Sequence, residues 1–257
     1  MSVITLTTDL GIKDYYLATL KGFLLRSVNN YPIIDITHNI ESHDIVQAAF
    51  IFKNAWHAFP ESSIHLLSVK NYYGEKRRFI AFEYQKHFFV GPDNGLFSLV
   101  FPDWNQIITY ELNRMVTASF PSQELFAHAV KYIHDNNTLT EIGPKVTDTV
   151  SRITFQPVLT QSEIKGSVIH IDKYENVIIN ISKELFYQVG NNRSFSLYFK
   201  RHDPITKMAS FYHDVPVGET LCLFNSAHLL EIAVNMGKAS TLLGLQIEDT
   251  IQITFHD

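Results

Sequence analysis

Asp9 ends a short apolar run and precedes a glycine, in the order Val3-Ile4-Thr5-Leu6-Thr7-Thr8-Asp9-Leu10-Gly11. Asp14-Tyr15-Tyr16 and Lys21-Gly22 follow, on a segment with helical spacing. A strand there would deliver Asp9 to its C-terminal tip, where open α/β sheets bind ligands. A carboxylate at such a tip suits a ribose diol, because it can accept two hydroxyl hydrogen bonds. It equally suits a surface carboxylate capping the next helix. The motif alone leaves both readings open.

Three further clusters could carry chemistry. Lys70-Asn71-Tyr72-Tyr73-Gly74-Glu75-Lys76-Arg77-Arg78 is a polar loop leaving a strand. Gly91-Pro92-Asp93-Asn94-Gly95 is a tight turn in which Gly95 can take positive φ. Asp172, Tyr174 and Asn176 are spaced i, i+2 and i+4. If that stretch is extended, all three share a face that could grip a purine or an amino-acid end group. If it is a hairpin turn, Asp172 instead makes Asx hydrogen bonds to its own backbone.

Other chemistries find less support. No Gly-rich phosphate loop, paired Cys-x-x-Cys or Gly-x-Ser-x-Gly elbow occurs. Asp35, His38, His43 and Asp44 imitate a metal cluster but lack the His-x-x-x-His spacing of a helical site, so no metal is expected. Cys222 lies in the apolar run Leu221 to Phe224 and reads as a core residue. A single cysteine excludes disulfides within the chain and fits a reducing compartment. A formal charge of −5, with Lys76-Arg77-Arg78 as the one basic cluster, argues against a nucleic-acid partner. The N-terminus shows no basic n-region or long apolar h-region, and no apolar window reaches the ~18 residues needed to span a bilayer, so no membrane partner and a cytoplasmic location are expected. Nineteen Phe and 12 Tyr suit thick cores, and also pockets that stack a flat ring.

The elements that must position these residues fall into two textures. Residues 1–155 alternate strands (Val3–Thr7, Pro32–Ile36, Ile64–Val69, Ile107–Leu112) with helices (Asp14–Arg26, Ser42–Ala55, Gln123–His134). Phe79–Phe82 and His87–Val90 read as a hairpin. The pattern predicts an α/β domain with a mostly parallel sheet and helices on both faces. After a linker at 156–163, residues 164–257 read as a smaller all-β, barrel-like domain. Its strands are Gly166–Ile171, Val177–Ile181, Ser194–Phe199, Thr220–Phe224 and Thr250–Phe255, and Leu229–Asn235 and Lys238–Leu243 hint at helix.

Together these clusters resemble one family, the S-adenosylmethionine hydroxide adenosyltransferases, relatives of the fluorinating and chlorinating enzymes that use the same substrate. The resemblance rests on Thr8-Asp9-Leu10-Gly11 with Asp14, Asp35-Ile36-Thr37-His38, Gly91 to Gly95, and Gly166-Ser167-Val168 leading to Asp172, Tyr174 and Asn176. It continues through Asn225-Ser226, Glu231-Ile232-Ala233, Gly237-Lys238-Ala239 and Leu243-Gly244. It implies a homotrimer whose ligand, S-adenosylmethionine or adenosine, lies between one subunit's N-domain and a neighbour's C-domain, with no cofactor. It implies that Asp9 binds the ribose hydroxyls, that Asp172 and Asn176 hold the methionine or adenine end, that Tyr174 stacks, and that the Ser226 turn meets adenine. Asp14, Tyr72, Tyr73, Phe120 and Ser122 are expected to line the same site.

The implied reaction is attack of water at the ribose 5′ carbon, giving adenosine and methionine. The family's hydrolases handle that water with an Asp, an Arg and a His. Here Lys70 replaces the Asp, Arg77 keeps the Arg, and Pro121 replaces the His. Lys70 and Arg77 are therefore the expected catalytic pair. Two unit charges 4 Å apart interact by about 4 kcal/mol at an effective dielectric constant near 20, so a Lys beside a sulfonium opposes binding. A catalytically inactive or divergent nucleoside-binding protein is the alternative that this replacement raises.

Overall fold

The computed structural model describes residues 2–28, 31–72, 78–112, 120–200 and 202–256. The chain forms two compact units, Met1–Ile153 and Thr154–Asp257.

The first unit runs β1 (Ile4–Thr8), α1 (Tyr16–Ser27), β2 (Ile33–Thr37), α2 (Ile45–Lys53), β3 (Ile64–Ser68), β4 (Phe79–Tyr84), β5 (His87–Pro92), α3 (Leu96–Val100), β6 (Thr109–Glu111), α4 (Pro121–Asn136) and β7 (Lys145–Val146). The sheet order is β2-β1-β3-β5-β4-β6-β7. Strands β2, β1, β3 and β5 are parallel. β4, β6 and β7 are antiparallel, so the sheet is mixed where a mostly parallel one was expected. The cause is local. β4 and β5 are joined at Gln85-Lys86, both with positive φ, and a two-residue turn can only return the chain antiparallel.

Strand residues alternate between two cores. Ile64, Leu66, Phe79, Ala81, Phe88 and Val90 face α1 and α4, packing on Leu17, Leu20, Leu24, Phe126 and Ile133. Leu67, Val69, Ile80, Phe82 and Phe89 face α2 and α3, packing on Ala48, Phe52, Leu96 and Phe97. Period-two burial on both faces marks a sheet covered by helices on either side. The aromatic surplus goes here: Phe82 is stacked on Phe89 at 5.0 Å and meets Phe97, Phe101 and Trp104 edge-on. Tyr16, the first residue of α1, is exposed, while Leu17, Leu20 and Leu24 are buried.

The second unit contains β8 (Val158–Leu159), β9 (Glu163–Ile171), β10 (Val177–Ser182), α5 (Lys183–Gly190), β11 (Ser194–Tyr198), β12 (Thr220–Phe224), β13 (Leu229–Val234), α6 (Ala239–Leu243) and β14 (Thr250–His256). It is a curled antiparallel half-barrel of order β11-β14-β9-β10-β13-β12, with β8 added to β9. The long strand β9 pairs with β14 at its start and β10 at its end. Single bridges, Leu197 to Ile205 and Met208 to Cys222, tie both sheet edges to one segment.

Leu229–Asn235 is not a helix. Its Leu, Glu and Ala favour helix, but β13 is buried between β10 and β12, where the ladder overrides propensity. Helix α5, unforeseen in the sequence reading, is capped by Ser182, whose Oγ accepts the Leu185 N–H at 3.1 Å. Cys222 is fully buried, and burial pushes its thiol up to about 12, as suits an inert core residue. No helix among the described residues is long and apolar enough to cross a membrane.

Candidate functional site

Within the first unit, the order β2-β1-β3 places β1 beside both neighbours that follow it in the chain. Helix α1 covers one face and α2 the other. The crevice at the carboxyl ends of β1 and β3 is therefore a topological switch point, the place where such sheets bind ligands. Asp9 lies there, one residue beyond β1.

Asp9 caps no helix. Helix α1 starts after Tyr15, without any side-chain cap. Asp9 Oδ2 instead accepts two backbone N–H groups, His43 at 3.0 Å and Lys70 at 3.2 Å. Both donors have left-handed backbones, φ 69° and 47°, which turn their N–H groups inward. Asp9 N–H donates to the Ser68 carbonyl at 3.2 Å. The carboxylate is thus fixed through one oxygen, while Oδ1 accepts no hydrogen bond among the described residues. The His43 imidazole lies 3.7 Å from Oδ2 and is 74% exposed.

The next strand tips hold this arrangement. Asn94, fully buried after β5, donates through Nδ2 to the carbonyls of Val69 and Lys70, both at 2.9 Å, and accepts the Leu96 N–H at 3.0 Å. The turn itself is pinned by Asp93, which receives the Arg78 guanidinium and the Val150 N–H at 2.8 Å. Gly95 takes φ 92°, and a Cβ there would fall 2.6 Å from the Arg152 side chain.

At the tip of β2, His38 accepts the Gly11 N–H through its carbonyl at 2.9 Å. Its ring lies between Thr8 Oγ1, 2.9 Å from Nδ1, and Asp35 Oδ1, 3.1 Å from Nε2. Lys21 donates to Asp35 at 2.6 Å. Burial alone would raise the Asp35 pKa, but the hydrogen bond from Lys21 and the His38 ring beside it outweigh it and hold the carboxyl below its ordinary value. The Asp35–His38–His43–Asp44 set does not converge. Asp44 spends its carboxylate capping α2, and among the described residues no group of three or more His, Cys, Asp or Glu could hold a metal.

The other expected residues of this unit lie as follows. Asp14 is exposed, as are Tyr15 and Tyr72. Phe120 sits at the start of α4, its ring 5.6 Å from Tyr16, edge to face. Ser122 is fully buried, and its Oγ has no hydrogen-bond partner among the described residues. Pro121 is the first residue of α4, a position that needs no N–H. Tyr73 and Arg77 lie outside the described residues, so half of the expected catalytic pair has no geometry here.

In the second unit, Asp172, Tyr174 and Asn176 do not share an extended face. They form the β9–β10 turn: Asp172 Oδ1 accepts the N–H groups of Tyr174 at 2.9 Å and Asn176 at 2.8 Å, and Oδ2 accepts Asn176 Nδ2 at 3.1 Å. The reason is Glu175, whose φ of 63° reverses the chain. Tyr174 is 76% exposed and Asn176 is buried. Ser226 is exposed in the turn between β12 and β13. A cleft of about 630 Å³ elsewhere in this unit is bounded by Phe199, His202, Lys207, Asp214 and Glu219, and none of these expected residues lines it.

Sequence reasoning missed the backbone N–H of His43 as a donor to Asp9, along with the buried pairing of Tyr212 with Glu231, whose Oε1 accepts the Tyr212 hydroxyl at 2.8 Å. Only a positive φ at His43 could have signalled the first, and φ is not written in a histidine. Glu231 carried a signal, a lone carboxylate in an apolar run.

Comparison with known proteins gives a consistent result along the chain. The model of the SAM hydroxide adenosyltransferase N-terminal domain matches residues 4–143, and that of the C-terminal domain matches residues 166–252. An (R)-S-adenosyl-L-methionine hydrolase of Methanocaldococcus jannaschii is 30% identical over 268 residues, covering 99% of this chain and 97% of that protein. A fluorinase of Actinopolyspora mzabensis is 20% identical, covering 98% of this chain and 97% of that one. The crystal structure of an uncharacterized conserved protein from Thermotoga maritima matches with a TM-score of 0.87 at 27% identity, over 98% of this chain and all of that one.

Proposed function

The chain belongs to the SAM hydroxide adenosyltransferase family, and we propose on that premise that it hydrolyses S-adenosylmethionine to adenosine and L-methionine. The observation that carries this reading is end-to-end similarity to a protein named as the hydrolase at 30% identity, against 20% for a fluorinase of similar coverage. The fixed carboxylate of Asp9 at the switch point supports it.

In this reading Asp9 Oδ1 accepts the ribose hydroxyls while Oδ2 stays anchored by His43 and Lys70. An oxygen of water attacks the 5′ carbon, the carbon–sulfur bond breaks, and its electron pair stays on sulfur as the thioether of methionine. The water proton leaves to solvent. The sulfonium is already a good leaving group, so the protein's task is alignment and exclusion of bulk water. Such positioning can contribute about 7–11 kcal/mol. Lys70, in place of the usual Asp, and the retained Arg77 would orient the water, with Pro121 standing where the His would be. Asp14, Tyr72, Tyr73, Phe120, Ser122, Asp172, Tyr174, Asn176 and Ser226 would line the substrate. Neither metal nor cofactor is needed. We further assign the chain a domain of residues 1–155, a barrel-like domain of 164–257, a trimeric assembly with the site between subunits, and a cytoplasmic location.

The test is direct. The purified protein is incubated with S-adenosylmethionine, and adenosine and methionine are quantified by chromatography. Equimolar release, abolished by Arg77→Ala, is expected. Binding without products would instead mark an inactive relative. A 5′-halogenated nucleoside formed in chloride or fluoride would mark a halogenase.

A further inference from the structure

Glu231 sits in the middle of β13, 3% exposed, between the apolar Leu230 and Ile232. Among the described residues no Lys, Arg or His pairs with it. Burial raises its pKa, hydrogen bonds from Tyr212 and Asn225 partly offset that, and the Asp172 charge adds to the rise. A buried carboxylate without a cation is costly, and an apolar residue would pack this strand as well. What the carboxylate supplies is two acceptors aimed in different directions.

Its Oε1 accepts the Tyr212 hydroxyl at 2.8 Å, and its Oε2 accepts Asn225 Nδ2 at 3.2 Å. Asn225 then accepts, through Oδ1, the N–H groups of Ala227 at 3.0 Å and Leu229 at 3.2 Å. Those bonds shape the turn that carries Ser226. Tyr212 belongs to a short turn of its own, fixed by Asp214, which accepts the N–H groups of Ser210 at 2.8 Å and Phe211 at 3.0 Å. One buried group therefore ties the Asn225–His228 turn to the Tyr212 turn across β12 and β13, within electrostatic reach of Asp172.

We propose that Glu231 is a positioning residue for substrate binding, which holds the Ser226 turn through Asn225 and braces it through Tyr212. The inference rests on the reading that this unit contributes to the S-adenosylmethionine site. A preformed turn lowers the ordering cost of binding, so its loss acts on affinity and leaves the chemical step alone.

Steady-state kinetics with S-adenosylmethionine on Glu231→Ala, Glu231→Gln and Tyr212→Phe tests it. Glu231→Ala leaves the Asn225 amide and the Tyr212 hydroxyl unpaired, and KM should rise about tenfold with kcat within about threefold of wild type. Glu231→Gln can face its oxygen to Asn225 and its amide to Tyr212, whose hydroxyl then accepts. It should restore KM to within about twofold. Tyr212→Phe removes one brace at a partly exposed side chain and should raise KM about threefold. If Glu231→Ala does not fold, Tyr212→Phe and Glu231→Gln decide. A wild-type KM in Tyr212→Phe, a KM unchanged in Glu231→Ala, or a Gln variant as poor as Ala would overturn the inference. A wild-type protein that neither binds nor converts S-adenosylmethionine would overturn the underlying function, and the inference with it.

Discussion

Asp9 shows how much of a site resides in one side chain and how much in what grips it. Its Oδ2 is saturated by two backbone N–H groups and its Oδ1 is left to accept. Asp9→Ala removes that acceptor, so adenosine affinity measured by titration calorimetry should fall about tenfold or more. Unchanged affinity would count against the ribose role. A second residue, buried in the sheet, is expected to contribute to acid sensitivity. His65 is buried, its Nδ1 2.7 Å from Thr5 Oγ1 and its Nε2 3.1 Å from His87 Nδ1, and its ring is stacked on Phe89. Burial, and then the charge of His87, lowers its pKa from 6.5 to about 3. A histidine depressed in the folded state takes up a proton more readily when unfolded. Its contribution is therefore whole above pH 6.5 and is lost as the pH falls from there toward 3. The slope is at most about 1.4 kcal/mol per pH unit. Denaturant titrations between pH 7 and 4 should show stability falling, and His65→Phe should flatten that fall. An equal slope in the variant would remove His65 from the account.

At the scale of elements, the site is a meeting of strand tips, each restraining the next. Asn94 beyond β5 holds the carbonyls of Val69 and Lys70 beyond β3, and Lys70 holds Asp9 beyond β1. Asn94→Ala removes the donor to the Val69 and Lys70 carbonyls and should cost about 2 kcal/mol in urea denaturation. It should also weaken nucleoside binding, since the Lys70 N–H loses its aim. Lys70→Gly separates backbone from side chain. Glycine accepts φ 47° readily, so the N–H to Asp9 persists and stability should change by less than about 1 kcal/mol. A large loss of kcat in that variant would assign the lysine ammonium to the reaction, and unchanged kcat would leave only its backbone at work. The sequence made much of this legible. Period-two strands and helical spacing placed α1, α2 and α4 and the β4–β5 hairpin, and Gly95 announced its positive φ. It misassigned β13 because the Leu, Glu and Ala of Leu229 to Val234 favour helix, and only pairing with β10 and β12 makes the run a strand.

For the whole molecule, each of the two compact units has apolar clusters of its own among the described residues, so each is expected to fold by itself. One, Met1–Ile153, has the double-faced core, and the other, Thr154–Asp257, has a core built from Ile164, Val177, Phe186, Ile232 and Ile251. The two pieces expressed separately should each show a cooperative thermal transition by circular dichroism, and a piece that remains unfolded would show that its core needs the other. Light scattering at three times the chain mass is expected for the proposed trimer. The sequence by itself determined the two textures, the family, and the strand that delivers Asp9 to its tip, because hydrophobic period and local turn chemistry act over a few residues. Tertiary structure alone decided that the Asp9 carboxylate is gripped by His43 and Lys70, 34 and 61 residues away along the chain. It also decided that Asp172 closes a turn and that Glu231 joins two loops. Those outcomes depend on backbone N–H groups, which every residue but proline carries alike. Their directions are set only once strands from distant parts of the chain lie side by side.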